Sequence, residues 1–323
     1  MTRYLVKRLG VMLFTLLVVV TVTFFLFRAV PGDPALVLIG PELEASAADS
    51  IRESFGLDQS LWTQYRSYLV NAAQGDMGVS FRYGLPVSTV LGVKLVNTIV
   101  LVLPAMLIAY ALGSLLGSFA AARPNSRVDR LIIQTFLTIK SAPSFWVATM
   151  AMVLLSLKLG ITPSGGMATP GAARLDGIER FLSGDFLSHL VLPLFILAVI
   201  FSVEPLLTMR TSMGEILDED FIEFGHAKGL SRSRITIRHA ARNSLLPMVS
   251  LLPSIAGHLI GGSVIIEIVF SWPGMGREIV DAVNRFDYPM MQGTFMAIAA
   301  LAIVVNALAD ILYTYLDPRV RLT

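Results

Sequence analysis

The sequence contains no cysteine, which excludes a disulfide framework, a thiolate nucleophile and any cysteine-built metal site. Charge is scarce as well: Asp, Glu, Lys and Arg make up only 15% of the 323 residues, and the formal net charge is +2. So small an imbalance points to no acidic partner, and nothing points to nucleic acid; what informs is where the charges sit. There is no G-x-x-x-x-G-K-[ST] phosphate loop, which excludes ATP binding of that kind. A G-x-S-G serine, an HExxH pair and paired membrane aspartates are all missing, so an intramembrane protease has no motif to stand on. What the chain has in excess is apolar surface, with 54% hydrophobic residues and a mean hydropathy of +0.70. A soluble globule of this length is not built that way.

The apolar residues fall into runs long enough to cross a bilayer. Six spans are predicted: Leu9–Phe27, Leu95–Ala121, Leu131–Leu157, Leu190–Met209, Met248–Phe270 and Met291–Tyr315. The first has a basic start, but its apolar core is long for a signal peptide and RAVPGDPAL offers no small-x-small cleavage site, so it reads as a retained span. Basic residues gather in residues 1–8, 122–130, 210–247 and 316–323, and thin out in the longer alternate segments. The positive-inside rule then places both termini in the cytoplasm.

Outside, residues 29–94 form a polar region of unusual size. Asp58 can cap a helix in which Leu61, Tyr65, Tyr68 and Leu69 share a face. The segment 158–188 reads as an irregular Gly- and Pro-rich cap. After the turn at Pro273-Gly274, a short amphipathic helix carries Ile279, Val283 and Phe286 on one side. Inside, Asp218–Pro247 is the one long polar stretch between spans, and it breaks at Gly229, a residue suited to closing one helix and opening another. Ahead of the break, Leu217, Phe221 and Phe224 are spaced i, i+4 and i+7 as one apolar stripe. Beyond it, Arg234, Arg238 and Arg242 make a cationic stripe. A short helix that exposes apolar residues at the inner face of a membrane is built to dock into another protein.

Glu223-Phe224-Gly225 followed by Gly229 resembles the "EAA…G" loop of ABC importer permeases, with Phe224 and Gly225 where the pattern has its alanines. The run Ala227–Pro247 is similar to the dipeptide/oligopeptide/nickel branch, as are PGDP at 31–34, GLDQSLWTQY at 56–65, GDMGVS at 75–80, SHLVLPLF at 188–195, SWPGMG at 271–276 and RFDYP at 285–289. The resemblance implies an all-α membrane protein with six transmembrane helices in the type I ABC importer permease fold. Residues 1–94 would be the first transmembrane helix plus an outer subdomain that helps receive a substrate-binding protein. Residues 95–323 would be a five-helix permease core containing the coupling loop 211–247. In that loop Phe221, Glu223, Phe224, Gly225, Ala227, Lys228, Gly229 and Leu230 are expected to meet the ATPase. The implied partners are a second homologous permease subunit, two ABC ATPase subunits, an extracytoplasmic binding protein and the lipid bilayer. ATP and magnesium would sit on the ATPases, and this chain would carry no cofactor, no metal and no catalytic residue.

Polar groups at bilayer depth are expensive and stand out as functional candidates. Lys140 lies about 14 Å into the third span and His258 about 15 Å into the fifth, at ~1.5 Å per residue. Both are expected to line the translocation path, and Lys140 would bias it toward anionic groups; a buried Lys–Glu pair is the structural alternative. Glu267, near the outer end of the fifth span, is a further path candidate, or else snorkels to water. Asn306 and Asp310 are expected to pair within the bundle, and Gly257, Gly261 and Gly262 to form a small-residue face for close helix approach. An ion-coupled secondary transporter is the competing function; it would show inverted repeats with broken helices, and no such repeat is evident.

Overall fold

The structure is a computed structural model that describes residues 2–29, 56, 58–172, 177–249, 251 and 263–316. The regular structure of the described residues is helical, with one isolated bridge between Val79 and Pro86 and no strand among them. In chain order the main helices are α1 (Thr2–Ala29), α2 (Leu61–Ala73), α3 (Val87–Ala121), α4 (Arg127–Ser141), α5 (Ser144–Ala151), α6 (Gly184–Phe201), α7 (Val203–Leu217), α8 (Asp220–Ala227), α9 (Arg242–Val249), α10 (Ser263–Val269), α11 (Met275–Asn284) and α12 (Tyr288–Leu316).

Four stretches are long and apolar enough to cross a membrane: Leu9–Arg28, Val87–Ala121, Gly184–Leu217 and Tyr288–Leu308. The expected third span is not one straight helix. α4 and the helix from Ser144 to Lys158 meet at 103°, because Pro143 holds Ala142 in extended backbone (φ −80°, ψ 142°) and cuts the helical hydrogen bonds there. Beyond α5 the chain widens into a π segment, Met152–Lys158. The fourth span runs further than expected, as α6 and α7 follow one another across Ser202. Of the expected fifth span, residues 252–262 lie outside the described residues, and its flanks α9 and α10 are helical.

By contacts the chain divides into two units, residues 1–97 with 273–304, and residues 98–272 with 305–322. In the first, α2 lies on α1 through Phe24, Tyr65 and Tyr68, with the Tyr65 and Thr21 hydroxyls 2.8 Å apart. Its cap is Ser60, whose Oγ accepts from the Thr63 amide, rather than Asp58, and Leu61 is exposed. Residues 75–86 form a tight turn clamped to the segment before α12. Asp287 accepts from Ser80 Oγ at 2.5 Å and from the Arg82 amide at 3.0 Å, and it caps α12 through the Met290 amide. Asn97 donates to the Pro273 carbonyl. Two of the family-like spellings, GDMGVS and RFDYP, thus meet in one clamp. The buried face of α11 is Met275, Glu278 and Ala282; of the expected Ile279–Val283–Phe286 side, Val283 is exposed while Phe286, just past the helix, packs in the cluster with Met290 and Met291. Glu278 is held inside by Lys94 Nζ at 2.8 Å and by the Tyr83 hydroxyl at 2.9 Å. Burial, and then the Glu278 carboxylate, push the Tyr83 phenol up to about 12.

In the second unit, α3 and α7 approach closely at Gly113 and Gly117. A Cβ on Gly113 would stand 2.8 Å from the Ser202 carbonyl, and one on Gly117 only 2.6 Å from that of Leu206. Between membrane helices, where lipid is as apolar as a side chain, such backbone proximity is what holds a pair together. The Gly-rich segment 158–172 is tied down by the Gly166 amide, which donates to the Phe270 carbonyl at 2.8 Å. Leu101, Ala105, Ala148, Leu197 and the fully buried Trp272 fill the core.

Candidate functional site

The polar segment after α7 is two helices around one break. The chain leaves α7 at Leu217 and restarts at Asp220, with Glu219 extended ahead of the helix. Leu217 therefore belongs to the preceding helix, and the expected three-residue stripe reduces to Phe221 and Phe224. Asp220 and Glu223 sit in the first turn of α8, where carboxylates suit the helix dipole. The helix closes at Gly229 (φ +73°), the Gly229 amide reaching the His226 carbonyl and the Leu230 amide that of Gly225. That pair of bonds is the Schellman arrangement, in which a left-handed residue satisfies the last carbonyls.

Of α8 only Ile222 and Gly225 are buried, against a cluster with Met213, Ile235 and Leu230. The opposite face is open: Phe221 is 42% and Phe224 59% exposed, with Glu223, Ala227 and Lys228 exposed beside them. The Lys228 ammonium lies 4.3 Å from the Phe224 ring centroid. After Gly229, Ser231 caps Arg232–Arg234, a π segment runs over Ile235–Ala241, and α9 follows. Arg234, Arg238 and Arg242 are all exposed. Arg232 donates to the Ala122 carbonyl at 3.1 Å, and a cleft of about 350 Å³ opens there, lined by Pro124, Arg210, Leu217, His226 and Thr236 among others.

An ion pair with its carboxylate buried, not expected from the sequence, anchors this region. Asp129, 2% exposed, receives Arg210 Nε at 2.7 Å and Nη2 at 2.9 Å, and also accepts the Asn125 amide. Ser126 accepts the Asp129 amide, an S-x-x-D capping signal that was legible in the loop.

Among the intramembrane candidates, Lys140 lies in the last turn of α4 and pairs with Glu204 at 3.6 Å, with side chains 51% and 44% exposed. The pair is not buried, and Glu204 was not anticipated. Glu267 has no exposed surface; it accepts from the Thr98 hydroxyl at 2.7 Å and does not snorkel to water. Asn306 is exposed on α12. His258, Gly257, Gly261, Gly262 and the Asp310 side chain lie outside the described residues.

Residues 1–106 match the family described as "Binding-prot-dependent transport system membrane comp, N-term". Residues 113–322 match "Binding-protein-dependent transport system inner membrane component". The chain belongs to this family. It is 33% identical to the oligopeptide transport system permease protein AppB of Bacillus subtilis (strain 168), over 99% of this chain and 100% of that one. It is 33% identical to the dipeptide transport system permease protein DppB of Escherichia coli (strain K12), over 99% of each chain. With the di/tripeptide transport system permease protein DppB of Pseudomonas aeruginosa (strain UCBPP-PA14) the identity is 35%, again over 99% of each chain. The protein is accordingly a multi-pass inner-membrane permease subunit of an ABC importer, with the type I permease fold. These relatives are permeases, and none supports a protease or an ion-coupled transporter.

Proposed function

We propose that this permease forms one half of the path by which an ATP-driven importer takes up short peptides, and that α8 is the part through which ATP hydrolysis moves it. The uncovered Phe221 and Phe224 on an eight-residue helix carry this reading. An apolar face on a segment too polar to enter lipid needs a protein partner. Its back is fixed by Ile222 and Gly225, so a push on the exposed face is passed to α7 through the Met213–Ile235 cluster. The assembly would hold two permeases, two ATPases that bind ATP and magnesium, and an external binding protein. Both termini would be cytoplasmic, the clamp around Asp287 would face the binding protein, and Lys140 would line the path. Peptides are the substrates named for the relatives, and the same class is proposed here.

A Phe224→Asp variant tests the reading. ATPase retained on the purified permease should fall about tenfold, as losing a buried aromatic anchor costs at least 1.4 kcal/mol. Uptake should fall with it while permease levels hold. Full retention together with normal uptake would overturn the assignment.

A further inference from the structure

Two ion pairs in the second unit differ in a way that separates structure from function. Asp129–Arg210 is bidentate at 2.7 and 2.9 Å with its carboxylate buried, as expected of a pair that holds helices together. Lys140–Glu204 is a single contact at 3.6 Å with both side chains about half exposed. A pair that loose and open contributes little to stability.

Lys140 lies about 20 Å beyond Arg127 along α4, and Glu204 about 9 Å from Arg210 along α7, at ~1.5 Å per residue, so the pair stands well along the helices from the basic loop 122–130. Charges on the helices of a membrane bundle are not left facing hydrocarbon, so their open side faces water or another polypeptide. Lys140 occupies the last turn of α4, where the helix carbonyls favour a cation, and the 103° bend carries α5 away from it.

We propose that Lys140 and Glu204 form a two-charge site that receives both ends of a zwitterionic peptide in transit. The Lys140 ammonium takes the α-carboxylate, the Glu204 carboxylate takes the α-ammonium, and the two neutralise each other when the path is empty. A lone lysine would retain anions and repel cations. A self-paired couple has no net charge, so it exchanges partners with a solute that carries both signs and lets it go again; conduction needs binding weak enough to permit exit. This rests on the reading of the chain as a peptide permease whose path passes Lys140.

Ser141, exposed beside Lys140, is the place for a reporter, since the chain has no other cysteine. The assembled importer carrying Ser141→Cys is treated with a membrane-impermeant thiol reagent, without binding protein. Labelling is slowed with alanyl-alanine, its N-acetyl form or its C-terminal amide. We expect the free dipeptide to protect at about tenfold lower concentration than either blocked form, the worth of one charge-assisted hydrogen bond. Adding Lys140→Met should erase the preference over the amide, and adding Glu204→Gln the preference over the N-acetyl form. ATP hydrolysis by each complex checks assembly, and Lys140→Arg should keep the parental ranking. Equal protection by all three peptides, or a ranking that neither substitution changes, overturns the proposal while leaving the path reading intact. A cysteine at 141 that is never labelled overturns both.

Discussion

At the scale of single residues, the glycines in and after α8 are not equivalent. A Cβ on Gly225 would meet Ile235 and Leu230 at 3.5–3.8 Å, which is ordinary contact. Gly229 adopts φ +73°, where any other L residue is strained. Gly225→Ala should leave uptake and thermal stability unchanged, whereas Gly229→Ala should destabilise the segment by about 1 kcal/mol and lower uptake. Melting and uptake of both variants check this. The Asp129–Arg210 pair carries a second asymmetry. Arg210→Met leaves a carboxylate buried without its partner and should cost about 3 kcal/mol. Asp129→Asn should cost only about 1 kcal/mol, since the partly exposed Arg210 can turn to water; denaturant melts of the two variants decide it. Gly229 and the exposed Phe224 were legible in the sequence because local backbone and helix spacing determine them. Glu204 was not, because its meaning comes from Lys140, distant in sequence and brought near only by packing. Glu267 stood out as a charge in a span, but its burial did not, because its partner Thr98 lies on another helix.

Among elements, the packing of α3 on α7 depends on Gly113 and Gly117. Gly117→Leu would drive a side chain into the Leu206 carbonyl and should cost about 3 kcal/mol, seen as lost yield or a lower melting temperature. The G-x-x-x-G spacing at 113–117 is a signal present in the sequence, of the same kind as the small residues of span five. The bend after α4 was legible too: Pro143 forbids a continuous helix, but a long apolar run hid it. The face of α11 was not legible, because a glutamate reads as solvent-facing until Lys94 and Tyr83 are placed beside it. That arrangement has a pH signature. The Tyr83 phenol ionises near 10 when unfolded and at about 12 when folded. The folded state therefore holds the proton longer, and its contribution is complete below pH 10 and lost as pH rises toward 12. Stability of the first unit should fall across that window, and Tyr83→Phe should flatten the slope in melts at stepped pH.

On the scale of the whole molecule, apolar run lengths and the placement of arginines were enough for a multi-pass helical protein, and the loop spellings for its family. Six straight spans were too simple a picture, since one is bent through 103° and another carries α7 well beyond the predicted end. The molecule has apolar faces for lipid, a clamp that fixes the segment before α12, and one short helix, α8, whose apolar side is exposed. In the function proposed above, transport by the assembled importer depends on a partner docking there. The most direct measurement introduces a single cysteine at Phe224 into this naturally cysteine-free chain and cross-links it in the working complex. The account predicts a product joining the permease to an ATPase subunit, with uptake halted until the link is cleaved. Failure to form that product from position 221, 223 or 224, in complexes that still import, would contradict it.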